Sequence, residues 1–355
     1  MGLIAGFVLR TSRESIPRSQ EEMAELLGVS VAAYQGWEAG RRPISNMRGG
    51  DLLGLRRRLP ALGADPDVVV LLDAAMDADR VIGAALSPSR PGVPHPLCEW
   101  VHTRDTAHMI AWAVNGSPPP VLRHRPVPPR HGPVASAPQL SPAERTVLFA
   151  HLRETTEAAG HLGVRGSLLR RQALYLTSYD HGPDAAAWTA HTLHARRGGT
   201  AERGWTPSWA EARSTATALA RLGDPQLLWD FIERSMVDSD DGEIANLNYW
   251  ALWLGAIQRP EANDEFMRDR SMQGWDPVTL LRGLVDGIHR APGFVDLYAH
   301  TVWALLETHR WLPLAAGGLL KTLARRTTEL LDQSALSERS RRELSAVHYR
   351  LGEFD

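Results

Sequence analysis

The 355-residue chain contains one cysteine, Cys98, and one lysine, Lys321. A single thiol excludes an internal disulfide framework and any Cys-based zinc site, and predicts a packed or unreactive side chain. With lysine so scarce, almost all cationic charge is arginine. Together with abundant Ala, Gly and Pro, that bias is the coding habit of a high-GC genome of actinobacterial type, and it says nothing about chemistry. No stretch approaches 18 uninterrupted apolar residues, so no membrane span or membrane partner is expected. The N-terminal MGLIAGFVLR has only a short apolar run and no cleavage signature, so it does not read as a signal peptide. These absences predict a cytoplasmic protein.

Catalytic signatures are missing as well. There is no Walker A loop, no G-x-G-x-x-G opening a helix, no G-x-S-x-G elbow and no H-E-x-x-H. His191 and His194 stand one helical turn apart near His181, but no carboxylate or cysteine falls at metal-ligand spacing. The run Asp238-Ser239-Asp240-Asp241 lacks the bidentate Glu of a calcium loop and suits a helix N-terminus. The expectation is a protein that is not an enzyme and uses no cofactor or metal.

Charge is unevenly spread. The net charge of −2 rules out a uniformly basic DNA coat. Residues 1–60 nevertheless carry nine Arg against six acids, and an acidic stretch follows at Asp65, Asp67, Asp73, Asp77 and Asp79. Basic charge is thus concentrated at one end, as an electrostatic footprint on nucleic acid requires.

That end holds the most informative stretch, Ser19 to Arg42. Ser19-x-x-Glu22 is a capping box, and a helix should follow over Gln20–Leu27 with Met23, Ala24, Leu26 and Leu27 on one side. Gly28 supplies the turn through positive φ. Ser30 caps a second helix from Val31 to about Ala39, with Tyr34 and Trp37 inward, ended by Gly40 and Pro43. Small Ala24, Gly28 in the turn, and the wedge residues Val29, Tyr34 and Trp37 fit the angle between the two helices of a helix-turn-helix.

The same residues, Ser19-Gln20, Ala24, Leu27-Gly28-Val29-Ser30, Trp37-Glu38, Gly40 and Arg42-Pro43, resemble the lambda-repressor/Cro-like (XRE) family of transcriptional regulators over roughly the first 60 to 80 residues. The resemblance implies a five-helix DNA-binding domain and double-stranded DNA as partner. It places Gln20, Ser30, Val31, Ala32, Gln35 and Gly36 at DNA-contacting positions, with Arg41 and Arg42 alongside. It makes Arg13 and Glu38 an internal ion pair. Val31, Ala32 and Gly36 cannot form bidentate hydrogen bonds to bases, so Gln35 is the one evident polar reader and phosphate contacts and DNA shape carry more of the recognition.

Elsewhere the pattern is helical throughout, and the fold class is all-α. A helix over 3–14 precedes the motif. Another ends at Pro60 and bears Arg56-Arg57-Arg58, which either lie along phosphates or simply form a solvated helix end. Asp67–Ala85 closes a first domain, residues 1–85. Residues 86–139 read as a Pro-rich linker with one short helix over 103–114, and 117–139, with Arg123, His124, Arg125, Arg130 and His131, as a semi-rigid tether. From 140 to 355 about ten helices are expected, falling into pairs of roughly 35 to 40 residues, either a TPR-like α-solenoid or an irregular bundle. This region should dimerise the protein and sense a small molecule, peptide or partner protein. Asn246, Tyr249, Trp250 and Trp253 form an amide-aromatic group that is either a ligand or partner surface or part of a packed core. Two functions compete: a sequence-specific, dimeric transcriptional regulator, and an adaptor with weak or non-specific DNA contact.

Overall fold

In the computed structural model, residues 1–87, 93–123, 137–195, 202–288, 294–332 and 336–352 are described. Among them every regular element is a helix and no strand occurs. No helix among the described residues is long and apolar enough to cross a membrane. Backbone contacts divide the chain into two compact units, Met1–Thr155 and Thr156–Asp355.

The first unit contains α1 (Leu3–Glu14), α2 (Gln20–Leu27), α3 (Val31–Glu38), α4 (Gly49–Ala61), α5 (Pro66–Leu86), α6 (Arg104–Asn115) and the short α7 (Pro120–Arg123). Gly2 gives α1 no side-chain cap of its own. The cap comes from 75 residues away: Asp79 of α5 accepts from the backbone N–H groups of Ile4 and Ala5 at 3.0 and 2.9 Å. Its burial pushes the Asp79 carboxyl up to about 6, although the two N–H groups pull the other way. α4 carries Pro60 within its last turn and ends at Ala61, one residue beyond the expected stop. A proline there forfeits one hydrogen bond near a helix end, where breaking the helix gains little.

α6 lies inside this first unit, whereas the periodicity assigned it to a linker after residue 85. Its apolar face explains the difference. Met109, Ile110 and Trp112 are all buried, and Trp112 meets Phe7 of α1 edge-on at 4.8 Å. Of the Pro-rich segment read as a tether, residues 124–136 lie outside the described residues, as do 88–92 of the preceding linker. Cys98 is exposed, not packed; its thiol donates to the His95 carbonyl, and partial burial raises its pKa, so little reactive thiolate is present.

α8 (Pro142–Gly160) spans the boundary between the units. The second unit contains α9 (Ser167–Thr177), α10 (Ala185–His194), α11 (Trp209–Arg221), α12 (Gln226–Ser235), α13 (Asp240–Trp253), α14 (Pro277–Ile288), α15 (Val295–Thr308), α16 (Leu312–Ala316), α17 (Leu319–Leu331) and α18 (Glu338–Leu351). Helices close in sequence are mostly close in space, as α9 with α11, α11 with α12, α13 with α15 and α17 with α18. One buried amide knits α13 to the loop that follows it. Asn248 Nδ2 donates to the carbonyls of Met267 and Asp269 at 3.0 and 2.9 Å, and its Oδ1 accepts from Trp275 Nε1 at 2.8 Å.

Candidate nucleic-acid interface

Local sequence signals build the motif. At the start of α2, Ser19 Oγ accepts from Glu22 N–H at 3.2 Å, and Glu22 returns the bond to Ser19 N–H at 2.7 Å. At its end Gly28 takes φ 68°, and the N–H groups of Gly28 and Val29 close back on the carbonyls of Glu25 and Ala24. A side chain at that φ would be strained, which is why glycine suits the turn. Ser30 Oγ then caps α3 through Ala33 N–H at 3.2 Å. Ala24 and Tyr34 are buried where the helices cross, and Trp37 meets the Tyr34 ring edge-on at 6.1 Å.

Three helices are locked together by one buried carboxylate. Glu38 accepts from Arg13 Nε at 2.6 Å and Arg13 Nη2 at 3.1 Å, and from Gln20 Nε2 at 2.6 Å. Gln20 is therefore half-buried and already bonded. A carboxylate only accepts, so the amide nitrogen must face it, and one of its two protons remains for an outside acceptor.

The outer face of α3 is small and mostly apolar. Val31 and Ala32 are exposed and Gln35 half-exposed, while Ser30 stands exposed at the start. Gly36, grouped with these on the strength of the resemblance, is instead buried. The chain folds back after α3, and the Arg42 side chain lies over the glycine: a Cβ on Gly36 would sit 3.1 Å from Arg42 Cδ. Gly36 thus supports Arg42 and does not face outward itself.

The arginines separate into two groups. Arg56 pairs with Asp73 at 2.9 Å, and Arg58 Nη1 donates to the Leu26 carbonyl at 3.0 Å, capping the end of α2. Arg41, Arg42, Arg48 and Arg57 are exposed and make no ion pair among the described residues. Between the turn, the loop after α3 and the start of α4 lies an open cleft of about 720 Å³, lined by Trp37, Arg41, Arg42, Arg48, Asp51 and Arg58. Four cations against one acid give this side of the motif a positive field that suits phosphate.

The remaining residues singled out by sequence fall apart into two sets. Asn246 and Trp250 are buried at 0 and 2% exposure, so they belong to the core of the second unit, whereas Tyr249 and Trp253 are half-exposed and stacked at 6.5 Å. Positions four apart share a helix face more closely than positions three apart, which pairs 246 with 250 and 249 with 253. His191 and His194 are exposed, and no group of three His, Cys, Asp or Glu among the described residues is arranged to hold a metal ion.

A helix-turn-helix family model matches residues 9–48, from the second half of α1 to the residue before α4. No curated protein matches the chain, and no solved structure does. Residues 9–48 are a helix-turn-helix of the XRE type, the fold of a DNA-binding regulator.

Proposed function

We propose that the protein is a sequence-specific transcriptional regulator that works on the nucleoid in the cytoplasm as a homodimer. Its second unit supplies dimerisation and binds an effector or partner. No catalytic step belongs to this function. The observation that carries it is that α3 exposes Val31, Ala32 and Gln35, while Arg42, lying over Gly36 of the same helix, lines a cleft with Arg41 and Arg48, all three without an ion pair among the described residues.

Each part of that surface has a task on DNA. Val31 and Ala32 suit thymine methyl groups, and Gln35 can bond an adenine edge through two hydrogen bonds. The arginines and the free proton on the Gln20 amide suit phosphate oxygens. One such module reads few base pairs, so two copies related by a two-fold axis, set one helical turn apart on DNA, would supply affinity and spacing.

Selection from random double-stranded DNA tests this. The expected product is an inverted repeat whose half-sites lie about 10 base pairs apart. Gln35→Ala should relax the preference, and the complex should contain two protein chains. Enrichment of no motif, or binding unchanged by Gln20→Ala, Gln35→Ala and Arg42→Ala, would overturn it.

A further inference from the structure

The second unit buries two arginines beside the Tyr249 ring, and only one has a counter-ion. Arg171, 5% exposed, holds Asp264 through two hydrogen bonds. Its neighbour in sequence, Arg170, likewise holds Glu211. Arg213 of α11, also 5% exposed, has no carboxylate and no hydrogen-bond acceptor among the described residues, and its Nε is buried without a partner.

What surrounds Arg213 is aromatic. Its guanidinium carbon lies 3.9 Å from the centre of the Tyr249 ring and 4.9 Å from that of Trp250. Trp250 Nε1 is a second buried donor with no acceptor. Other cations, Arg171 and Arg221, add to the burial that draws the Arg213 pKa down to about 10. An arginine stays charged at neutral pH, and cation–π contact offsets only part of its desolvation. Half-exposed Tyr249 and Trp253 stack at an interplanar angle of 22°, and Tyr175 meets Trp253 edge-on at 5.2 Å.

We propose that this cluster is a binding site for a small planar carboxylate. Its oxygens accept from the Arg213 guanidinium and from Trp250 Nε1–H, and its flat body lies against Tyr249 and Trp253. A monoanion matches the one uncompensated charge that is buried. Arg170 and Arg171 are already neutralised, and Arg221, the other cation here without a carboxylate among the described residues, is exposed and lies over Tyr175 and Phe294, so the buried centre offers a phosphate dianion only one guanidinium. The planar guanidinium fork also fits a carboxylate closely. The site lies wholly within residues 156–355 and goes beyond the regulator function; in a regulator, its occupancy would be the effector input.

The test uses the full chain without DNA, so its result is independent of DNA recognition. Thermal melting and indole fluorescence are followed with benzoate, with uncharged benzamide and with inorganic phosphate, all at ionic strength matched by sodium chloride. At ten times its half-saturating concentration, benzoate should raise the melting temperature by roughly 3 °C. Benzamide and phosphate should not. Arg213→Gln should weaken benzoate binding at least tenfold, and Trp250→Phe, which keeps the ring and removes the N–H, should weaken it severalfold even if the arginine variant fails to fold. The proposal is overturned if benzoate does no better than chloride, if benzamide or phosphate matches it, or if the folded variants bind benzoate like the parent.

Discussion

Gln20 donates its side-chain amide to Glu38 Oε2 at 2.6 Å, on the same carboxylate that Arg13 grips from the other side. Three N–H groups from α1 and α2 thus converge on one residue of α3 that is 5% exposed. The contact does two jobs at once. Arg13 neutralises a buried charge, and the Gln20 bond fixes how the first residue of α2 is presented to a ligand.

Glu38→Ala should therefore destabilise the first unit by roughly 3 kcal/mol, because it removes the close carboxylate of the Arg13 guanidinium, leaving it the Arg18 carbonyl and Glu14 at 3.9 Å, and strands the Gln20 amide. Gln20→Ala leaves the Arg13–Glu38 pair intact and should cost under about 1 kcal/mol in stability. It should still weaken DNA binding, since the oriented amide is gone. Urea denaturation alongside fluorescence anisotropy separates the two effects. Equal stability losses in both variants would contradict the separation.

The division of the arginines predicts different salt behaviour. Arg41, Arg42, Arg48 and Arg57 have no ion-pair partner among the described residues, whereas Arg56 and Arg58 are engaged with Asp73 and the Leu26 carbonyl. Replacing Arg42 or Arg48 by Ala should reduce the slope of log affinity against log salt by about 1 each. Arg56→Ala should leave the slope nearly unchanged and lower stability only slightly, as an exposed pair is worth under about 1 kcal/mol. Anisotropy titrations at four or more salt concentrations read the slopes.

Gly36 gives a prediction in which stability and affinity part company. Gly36→Ala raises helix propensity by up to about 1 kcal/mol. It also places a methyl group 3.1 Å from Arg42 Cδ and pushes that side chain off its seat. The melting temperature should hold or rise while DNA affinity falls severalfold. An affinity equal to the parent's would show that the position of Arg42 does not matter.

How legible all this was depends on the range of the interaction. α1, α2 and α3 follow from neighbours in sequence: Ser19 with Glu22, Gly28 in its turn, Ser30 before Val31. The helices of the second unit were readable for the same reason, as the break at Gly317 and Gly318 between α16 and α17 illustrates. Long-range pairings were not legible. Nothing near Asp79 announces that it caps a helix 75 residues earlier, and nothing near Arg58 announces Leu26. Gly36 was misplaced because helix phase gives a face, not what folds over it. Arg213 left a signal that went unused: it falls on the apolar stripe of α11 with Trp209, Ala216 and Ala220, where a charge requires an explanation.

His300 of α15 yields a pH dependence. It is 1% exposed, with Nε2 2.8 Å from Glu243 of α13 and Nδ1 2.9 Å from Glu343 of α18. Arg339 Nη1 approaches the same Glu343 oxygen at 3.7 Å, while its Nη2 pairs with Glu233 at 2.6 Å, so the linked group holds three acids and two bases. Burial alone would lower the imidazole pKa, but the two carboxylates outweigh it and raise the pKa to about 9. A base whose folded pKa lies above its unfolded value binds its proton more tightly when folded. The resulting stability, on the order of 3 kcal/mol, is fully present below the unfolded pKa of about 6.5 and is lost as pH rises through about 9. His300→Gln cannot carry the charge and leaves buried Glu343 and half-buried Glu243 without it. Urea midpoints of the second-unit transition, measured from pH 6 to 10, should fall steeply for the parent and stay nearly flat for the variant, which starts lower. A parent profile as flat as the variant's would mean that His300 is neutral in the folded protein.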